Sequence, residues 1–270
     1  MGLNSSYNAH LHAKRSVFSI GLGSESTLFR TDPPGVGVKI LILSDIHGNL
    51  PALEAILERE KDFDACLFLG DVVDYGPNPR ECIHFLMDQM DAGVMGNHDN
   101  ALAHAVDCGC RGDFKRFSVE TRGWHSGLLG KEENHFLQSL PPMRLSTIQG
   151  LSTVMAHATP EGNLSHYLQE NELAAIAEKT TAQLILLGHT HVQFKKQVGD
   201  IIIVNPGSVG LARDGTGACY GIMTDGVITL YRIPYDTQRT IDALWKSPIS
   251  IESKKGLEQV LRGNSIDVRK

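Results

Sequence analysis

The fold of this chain is decided by the stretch Val38-Lys39-Ile40-Leu41-Ile42-Leu43-Ser44-Asp45-Ile46-His47-Gly48-Asn49. Its apolar part predicts a buried strand over residues 38–44, because the run is short and rich in leucine and β-branched residues. The strand ends in an aspartate and a histidine one residue apart, and alternate residues of a strand point to the same face. We therefore expect Asp45 and His47 to lie side by side at the strand end, where they would begin a metal site.

Length and composition indicate an ordinary globular protein. With 270 residues, 41% of them apolar and 21% charged, the chain is long enough for one large α/β domain or two small ones. No apolar run approaches the roughly 18 residues that a membrane helix needs, so we expect a soluble protein that does not bind membranes. A formal net charge of −6 argues against stable nucleic-acid binding, which depends on counterion release by positive side chains.

The five cysteines indicate a reducing compartment. A chain of this size does not need disulfides for stability, and Cys66 and Cys219 lie in or near apolar, strand-like runs. We therefore expect buried thiols and a cytoplasmic protein. The close pair Cys108-Gly109-Cys110 differs in spacing from CxxC, and no second pair follows it. This spacing disfavours a metal or redox site at the two cysteines.

The two ends of the chain differ from its middle. Residues 1–36 are rich in serine, glycine and asparagine and contain no acidic residue before Glu25. We interpret them as a disordered N-terminal extension, with a transit peptide or a wrongly chosen upstream start as the alternatives. We predict one domain over residues 37–246, because no linker interrupts them, and a polar C-terminal tail over residues 247–270.

The middle of the chain alternates strands and helices and becomes strand-rich towards its end. The predicted strands are 38–44, 65–69, 93–95, 144–148, 153–156, 183–187, 194–198, 201–204, 218–223 and 227–231. The predicted helices follow Asn49, which can cap the first of them, and lie within 80–90, 100–140, 172–178 and 236–245. This order favours an α/β domain with two sheets and with helices outside them.

Polar clusters follow five of the predicted strands directly. In α/β sheets, the carboxyl ends of strands are where ligands bind. Burying this many acids and imidazoles without partners would cost several kcal/mol for each group, and metal ions remove that cost. The clusters are Asp45 with His47, Asp71 with Asp74, Asn97 with His98, His157 alone, and His189 with His191.

These clusters resemble the five motifs of the calcineurin-like metallophosphoesterase superfamily, and residues 194–232, which include the loop 205–210, resemble its small prokaryotic-type branch. The matching motifs are Asp45-x-His47, Gly70-Asp71-x-x-Asp74, Gly96-Asn97-His98-Asp99, His157 and Gly188-His189-x-His191. The resemblance covers residues 38–232. It implies a four-layer α/β/β/α sandwich with two mixed β-sheets and with two metal ions at the sheet ends.

The resemblance also implies which residues hold the metals. One ion would take Asp45, His47 and His191, the other would take Asn97, His157 and His189, and Asp71 would bridge them. Imidazole and carboxylate ligands without a thiolate fit Mn²⁺ best, with Fe and Zn²⁺ as alternatives.

The implied reaction is hydrolysis of a phosphoester by a hydroxide that bridges the two metals. The resemblance makes His98 the proton donor to the leaving group and Asp74 the group that orients it. Asn97 and Arg213 are the expected substrate-binding residues, and Arg213 would bind a phosphate or a nucleotide.

Three aromatic residues could form a cap over the leaving group or pack in the core, and we favour core packing. They are Phe114, Phe117 and Trp124.

We expect a small phosphorylated substrate, a phosphodiester or a nucleotide-type ester. The first alternative is a phosphoprotein phosphatase. It is disfavoured because the protein serine/threonine phosphatases of this superfamily have an arginine where this chain has Tyr75, between Asp74 and Gly76. The second alternative is a binding scaffold without catalysis, which is disfavoured because no expected ligand is missing.

Overall fold

The computed structural model describes residues 27–28 and 37–264. Most of the predicted N-terminal extension, residues 1–36, therefore lies outside the described residues. The strands, in chain order, are β1 (Thr27–Leu28), β2 (Lys39–Leu43), β3 (Ala65–Phe68), β4 (Ala92–Gly93), β5 (Met143–Ile148), β6 (Leu151–Ala156), β7 (Leu184–Leu186), β8 (Phe194–Val198), β9 (Ile201–Asn205), β10 (Ala218–Thr224) and β11 (Val227–Ile233). The helices are α1 (Leu50–Arg59), α2 (Pro79–Gln89), α3 (Asn97–His104), α4 (Gly112–Leu128), α5 (Lys131–Ser139), α6 (Leu173–Ala177), α7 (Thr237–Trp245) and α8 (Ile251–Leu261).

The strands form two mixed sheets. One has five strands in the order β11-β10-β2-β3-β4, and the other has six in the order β1-β5-β6-β7-β9-β8. Strands β2, β3 and β4 run parallel, as do β6, β7 and β9, whereas the hairpins β5–β6, β8–β9 and β10–β11 are antiparallel. The parallel strands of each sheet end at a common edge, which is where the polar clusters lie.

The alternation along β2 shows why the domain has four layers. Ile40 and Ile42 point to one face and pack against the second sheet, where they meet Leu184 and Leu186. Leu41 and Leu43 point to the other face and belong to a core with the helices outside the first sheet. Helix α6 covers the outer face of the second sheet. The predicted α/β/β/α sandwich is confirmed.

The local signals for the first helix are also confirmed. The side chain of Asn49 caps α1 by accepting a hydrogen bond from the backbone N–H of Ala52 at 3.3 Å, and Pro51 lies in the first turn. The predicted strand and helix bounds differ from the observed ones mostly by one or two residues. Within the described residues, no helix is both long and apolar enough to span a membrane.

The prediction of a polar tail from residue 247 is wrong for residues 251–261. They form α8, whose Ser250 cap accepts a hydrogen bond from the backbone N–H of Ser253 at 3.2 Å. Leu257, Val260 and Leu261 are buried in one cluster with α4 and α7. Their spacing places them on one helical face, but Glu258 and Gln259 between them, and the charged residues before them, hide that face in the sequence. The same cluster contains Phe114 and Phe117, in agreement with the favoured core-packing interpretation.

Candidate metal centre

All seven predicted metal ligands meet at the common edge of the two sheets. Their side chains follow the strands β2, β3, β4, β6 and β7, and each residue is at most 3% exposed; they are Asp45, His47, Asp71, Asn97, His157, His189 and His191. These residues include two groups in which the potential ligand atoms all lie within 4.8 Å of one another. One group is Asp45 with His47 and His191, and the other is Asp71 with His157 and His189. These are the two sets that the sequence motifs imply, with Asn97 beside the second.

Five of these residues have an unusual backbone conformation. The φ angles of Asp45, His47, Asp71, His189 and His191 are 53°, 46°, 66°, 66° and 59°. Residues with a Cβ atom rarely adopt this left-handed region, which costs roughly 1–3 kcal/mol each and persists where the surroundings enforce it. Such clustered strain is characteristic of functional sites.

Backbone carbonyl groups fix the tautomers of three histidines. The Nδ1 atoms of His47, His157 and His191 lie 2.7, 2.7 and 2.6 Å from the carbonyl oxygens of Val73, Leu69 and Leu211. Because a carbonyl oxygen can only accept, each Nδ1 carries the hydrogen. In the neutral ring, Nε2 is then a bare lone pair, which is the form that binds a metal.

These bare nitrogens face other acceptors rather than donors. His191 Nε2 lies 3.2 Å from Asp45 Oδ1, and His157 Nε2 lies 3.0 Å from Asp71 Oδ2. Among the described residues, neither Asp45 Oδ1 nor His189 Nε2, both buried, has a hydrogen-bond partner. Lone pairs that face one another in a buried site need a proton or a metal ion between them, and the clustering of several such pairs favours metal ions. The donor set therefore fits bound divalent metal ions, with backbone carbonyls orienting the imidazoles.

The pKa shifts of these residues also indicate a site for positive charge. Burial alone would raise the pKa of Asp45, but nearby His191 and His157 outweigh it and the pKa is lowered. Burial alone would lower the pKa of His157, but the adjacent carboxylate of Asp71 outweighs it and raises the pKa to about 9. The carboxylates thus recruit a positive charge, which a metal ion would replace.

The predicted proton donor lies beside this centre. His98 Nδ1 lies 2.6 Å from Asp74 Oδ2, and His98 Nε2 lies 3.3 Å from the hydroxyl of Tyr75. Burial disfavours the charged imidazole, but Asp71 and the hydrogen-bonded Asp74 outweigh it and raise the pKa of His98. The geometry provides an oriented imidazole that can hold a proton.

Two residues that the sequence analysis missed hold Asp74. Arg122 donates from Nη2 to Asp74 Oδ2 at 2.5 Å, and the backbone N–H of Asp74 donates to Nδ1 of His125 at 3.1 Å. His125 Nε2 in turn donates to the carbonyl of Gly76 at 2.9 Å. Both residues lie on α4, 48 and 51 positions after Asp74, so no local pattern in the sequence indicates them.

The two predicted substrate-binding residues have different surroundings. Asn97 uses its amide nitrogen to donate to the carbonyl of Cys108 at 2.8 Å, while its Oδ1 lies 3.1 Å from both His157 Nε2 and His189 Nδ1. This orientation suits a metal ligand. The Arg213 guanidinium stacks on the ring of Phe114 at 4.2 Å and lies 6.0 Å from that of Tyr167.

Comparison with known proteins agrees with this site. Residues 38–225 match the family model described as the calcineurin-like phosphoesterase superfamily domain. The chain is 29% identical over 231 residues to an uncharacterized protein of Methanocaldococcus jannaschii, covering 77% of this chain and 92% of that protein. It is 27% identical over 201 residues to the phosphodiesterase YfcE of Escherichia coli, covering 72% and 91%. The crystal structure of a metallophosphoesterase from Sphaerobacter thermophilus superposes with a TM-score of 0.72 at 27% identity, covering 83% of this chain and all (100%) of that one.

Proposed function

Because the chain belongs to the calcineurin-like phosphoesterase superfamily, we propose that it hydrolyses small phosphoesters with the help of two divalent metal ions. The observation that carries this proposal is the set of bare imidazole nitrogens that face buried carboxylates. Asp45, His47 and His191 would hold one ion, Asn97, His157 and His189 would hold the other, and Asp71 lies between the two groups. When bound, such a pair supplies positive charge to the phosphoryl group and an activated water.

The proton for the leaving oxygen comes from His98. Its Nε2 is the ring nitrogen that does not contact Asp74, so it is the one from which a proton can pass to a departing alkoxide. Asp74 orients the ring and favours its protonated form, and Arg122 holds Asp74 in place. These three residues form one connected chain of hydrogen bonds.

We propose a phosphodiester or nucleotide-type substrate. The name of the Escherichia coli relative supports the diester, and the stacked guanidinium of Arg213 offers a positive charge for a phosphate. Its Nε is buried and has no hydrogen-bond partner among the described residues.

Mn²⁺ is the proposed metal, with Fe and Zn²⁺ as alternatives. A phosphoprotein phosphatase is disfavoured because Tyr75 is buried and its hydroxyl contacts His98, so it offers no bidentate phosphate clamp.

A substrate panel tests this function. The purified full chain is stripped with a chelator, reloaded with Mn²⁺, and assayed on a chromogenic phosphodiester, a chromogenic monoester, a dinucleoside polyphosphate and a phosphopeptide. We expect hydrolysis of the diester or the dinucleotide that is lost on chelation and restored by Mn²⁺. A metal-loaded protein that cleaves none of the four would contradict the proposal, and preference for the phosphopeptide would favour the protein-phosphatase alternative.

A further inference from the structure

The pair Cys108 and Cys110, which the sequence disfavours as a site, lies directly against the proposed proton donor. Cys110 Sγ is 3.3 Å from His98 Nε2, and the side chain of Cys108 lies next to both of them. All three side chains are buried, and their ligand atoms lie within 4.8 Å of one another. The loop between α3 and α4 brings these thiols to the histidine, which their spacing does not reveal.

The hydroxyl of Tyr75 completes a four-atom cluster. It lies 3.3 Å from His98 Nε2 and 3.6 Å from Cys110 Sγ. A tetrahedral zinc ion with bonds of about 2.0–2.3 Å separates its ligand atoms by roughly 3.3–3.8 Å. The three distances among His98, Tyr75 and Cys110 fall within that range. The Cys108 side chain lies within 4.8 Å of the ligand atoms of His98 and Cys110, so it would have to move closer to share one ion with them.

The partners of these side chains also suit a metal site. His98 donates its other ring N–H to Asp74, which is the carboxylate–histidine arrangement that orients zinc-binding histidines. The guanidinium of Arg122 lies close to Cys108, where its positive charge suits a metal-binding thiolate.

We propose that His98, Cys108 and Cys110 form a third, inhibitory metal site that binds one Zn²⁺, with Tyr75 or water as the fourth ligand. The thiolates distinguish this site from the dinuclear centre, whose proposed ligands are all nitrogen or oxygen atoms. Zinc at Nε2 occupies the nitrogen that the proposed reaction needs for its proton. The inhibitory role thus rests on the proposed function, whereas the binding site itself does not.

Cobalt spectroscopy tests the binding site without turnover. Co²⁺ is titrated into the reduced, metal-free full chain, and thiolate-to-cobalt charge-transfer absorption is recorded in the near ultraviolet. We expect this band in the wild type and in Cys82→Ala, a control whose cysteine lies in the core on α2. We expect Cys108→Ser and Cys110→Ser to lose the band and to bind about one equivalent less of the metal.

Inhibition by zinc tests the regulatory role. With the dinuclear centre loaded with Mn²⁺, we expect stoichiometric added Zn²⁺ to reduce phosphodiester hydrolysis by roughly tenfold or more in the wild type and in Cys82→Ala, but not in Cys108→Ser. The proposal is overturned if the wild type shows no thiolate band, if both serine variants keep it, or if Zn²⁺ inhibits Cys108→Ser equally. A wild type with the band but without hydrolysis of any substrate contradicts the proposed function and leaves the zinc site standing.

Discussion

His98 and Asp74 are joined by a hydrogen bond of 2.6 Å between Nδ1 and a carboxylate oxygen, and both side chains are buried. The bond leaves only Nε2 of His98 available for chemistry. Since Arg122 contacts the same carboxylate oxygen, the orientation of the imidazole depends on a residue from a distant helix. The proposed proton donor is thus positioned by tertiary contacts rather than by its own motif.

Replacement of Asp74 by Asn should slow the reaction without emptying the metal centre. The variant removes the negative charge that favours protonated His98, so we expect kcat to fall roughly 10–100-fold and the basic limb of the pH profile to move to lower pH. The measurements are kcat against pH and metal content. The exposed variant Asp242→Asn is the control, and an unshifted basic limb in Asp74→Asn would refute the role of the carboxylate.

Replacement of Asp71 by Asn should weaken metal binding itself. Asp71 lies between the two ligand groups, and its negative charge draws cations to both. Because the variant lacks this charge, we expect the bound metal to fall below two equivalents and hydrolysis to drop more than about 100-fold. Metal analysis after gel filtration and a diester assay provide the readouts. Full metal content with normal turnover would disprove the bridging position.

The protein should lose stability as the pH falls from about 6.5 to about 4, in part through His125. Burial is the largest effect on this residue and lowers its pKa to about 4, below the value near 6.5 expected in the unfolded chain. Its contribution is therefore fully present above pH 6.5 and is lost as the unfolded state takes up a proton, by on the order of 3 kcal/mol at pH 4.

The matched variant His125→Gln keeps a donor and an acceptor but does not titrate. Urea unfolding of both chelated proteins at pH 7 and pH 4.5 measures the difference in their free energies of unfolding. We expect this gap to narrow by about 2 kcal/mol or more at the lower pH. If the gap stays constant between the two pH values, His125 is not the titrating group.

Helix α8 should contribute to the stability of the domain. Leu257 is 1% exposed, in the cluster with Phe114 and Phe117, so Leu257→Ala should cost roughly 2–4 kcal/mol of unfolding free energy. Ile251 is on the same helix but 56% exposed, and Ile251→Ala should change stability by less than about 0.5 kcal/mol. Equal effects of the two variants in urea unfolding would show that α8 is not packed as described.

The sequence predicts which side chains meet at the sheet ends, because each of the seven expected ligands follows a recognisable strand. Asp45 and His47, for example, follow directly from the pattern of β2. The groups that surround the proposed proton donor are not predictable in this way. Arg122 reaches Asp74, and Cys110 reaches His98, only through the packing of α4 and of the loop before it. Asp99 illustrates an intermediate case. Its motif is visible, but its role in accepting hydrogen bonds from the backbone of Asp71, Val72 and Gly96 is not.

The left-handed backbone of the ligand residues has a consequence for how this protein can change over time. Glycine would adopt the φ angles of Asp45, His47 and His191 without steric cost, so the side chains of the proposed centre oppose the conformational preference of their own backbone. Selection for stability and selection for catalysis therefore oppose each other at these positions. In a descendant released from catalysis, the ligand positions should be among the first to drift, while the two sheets persist.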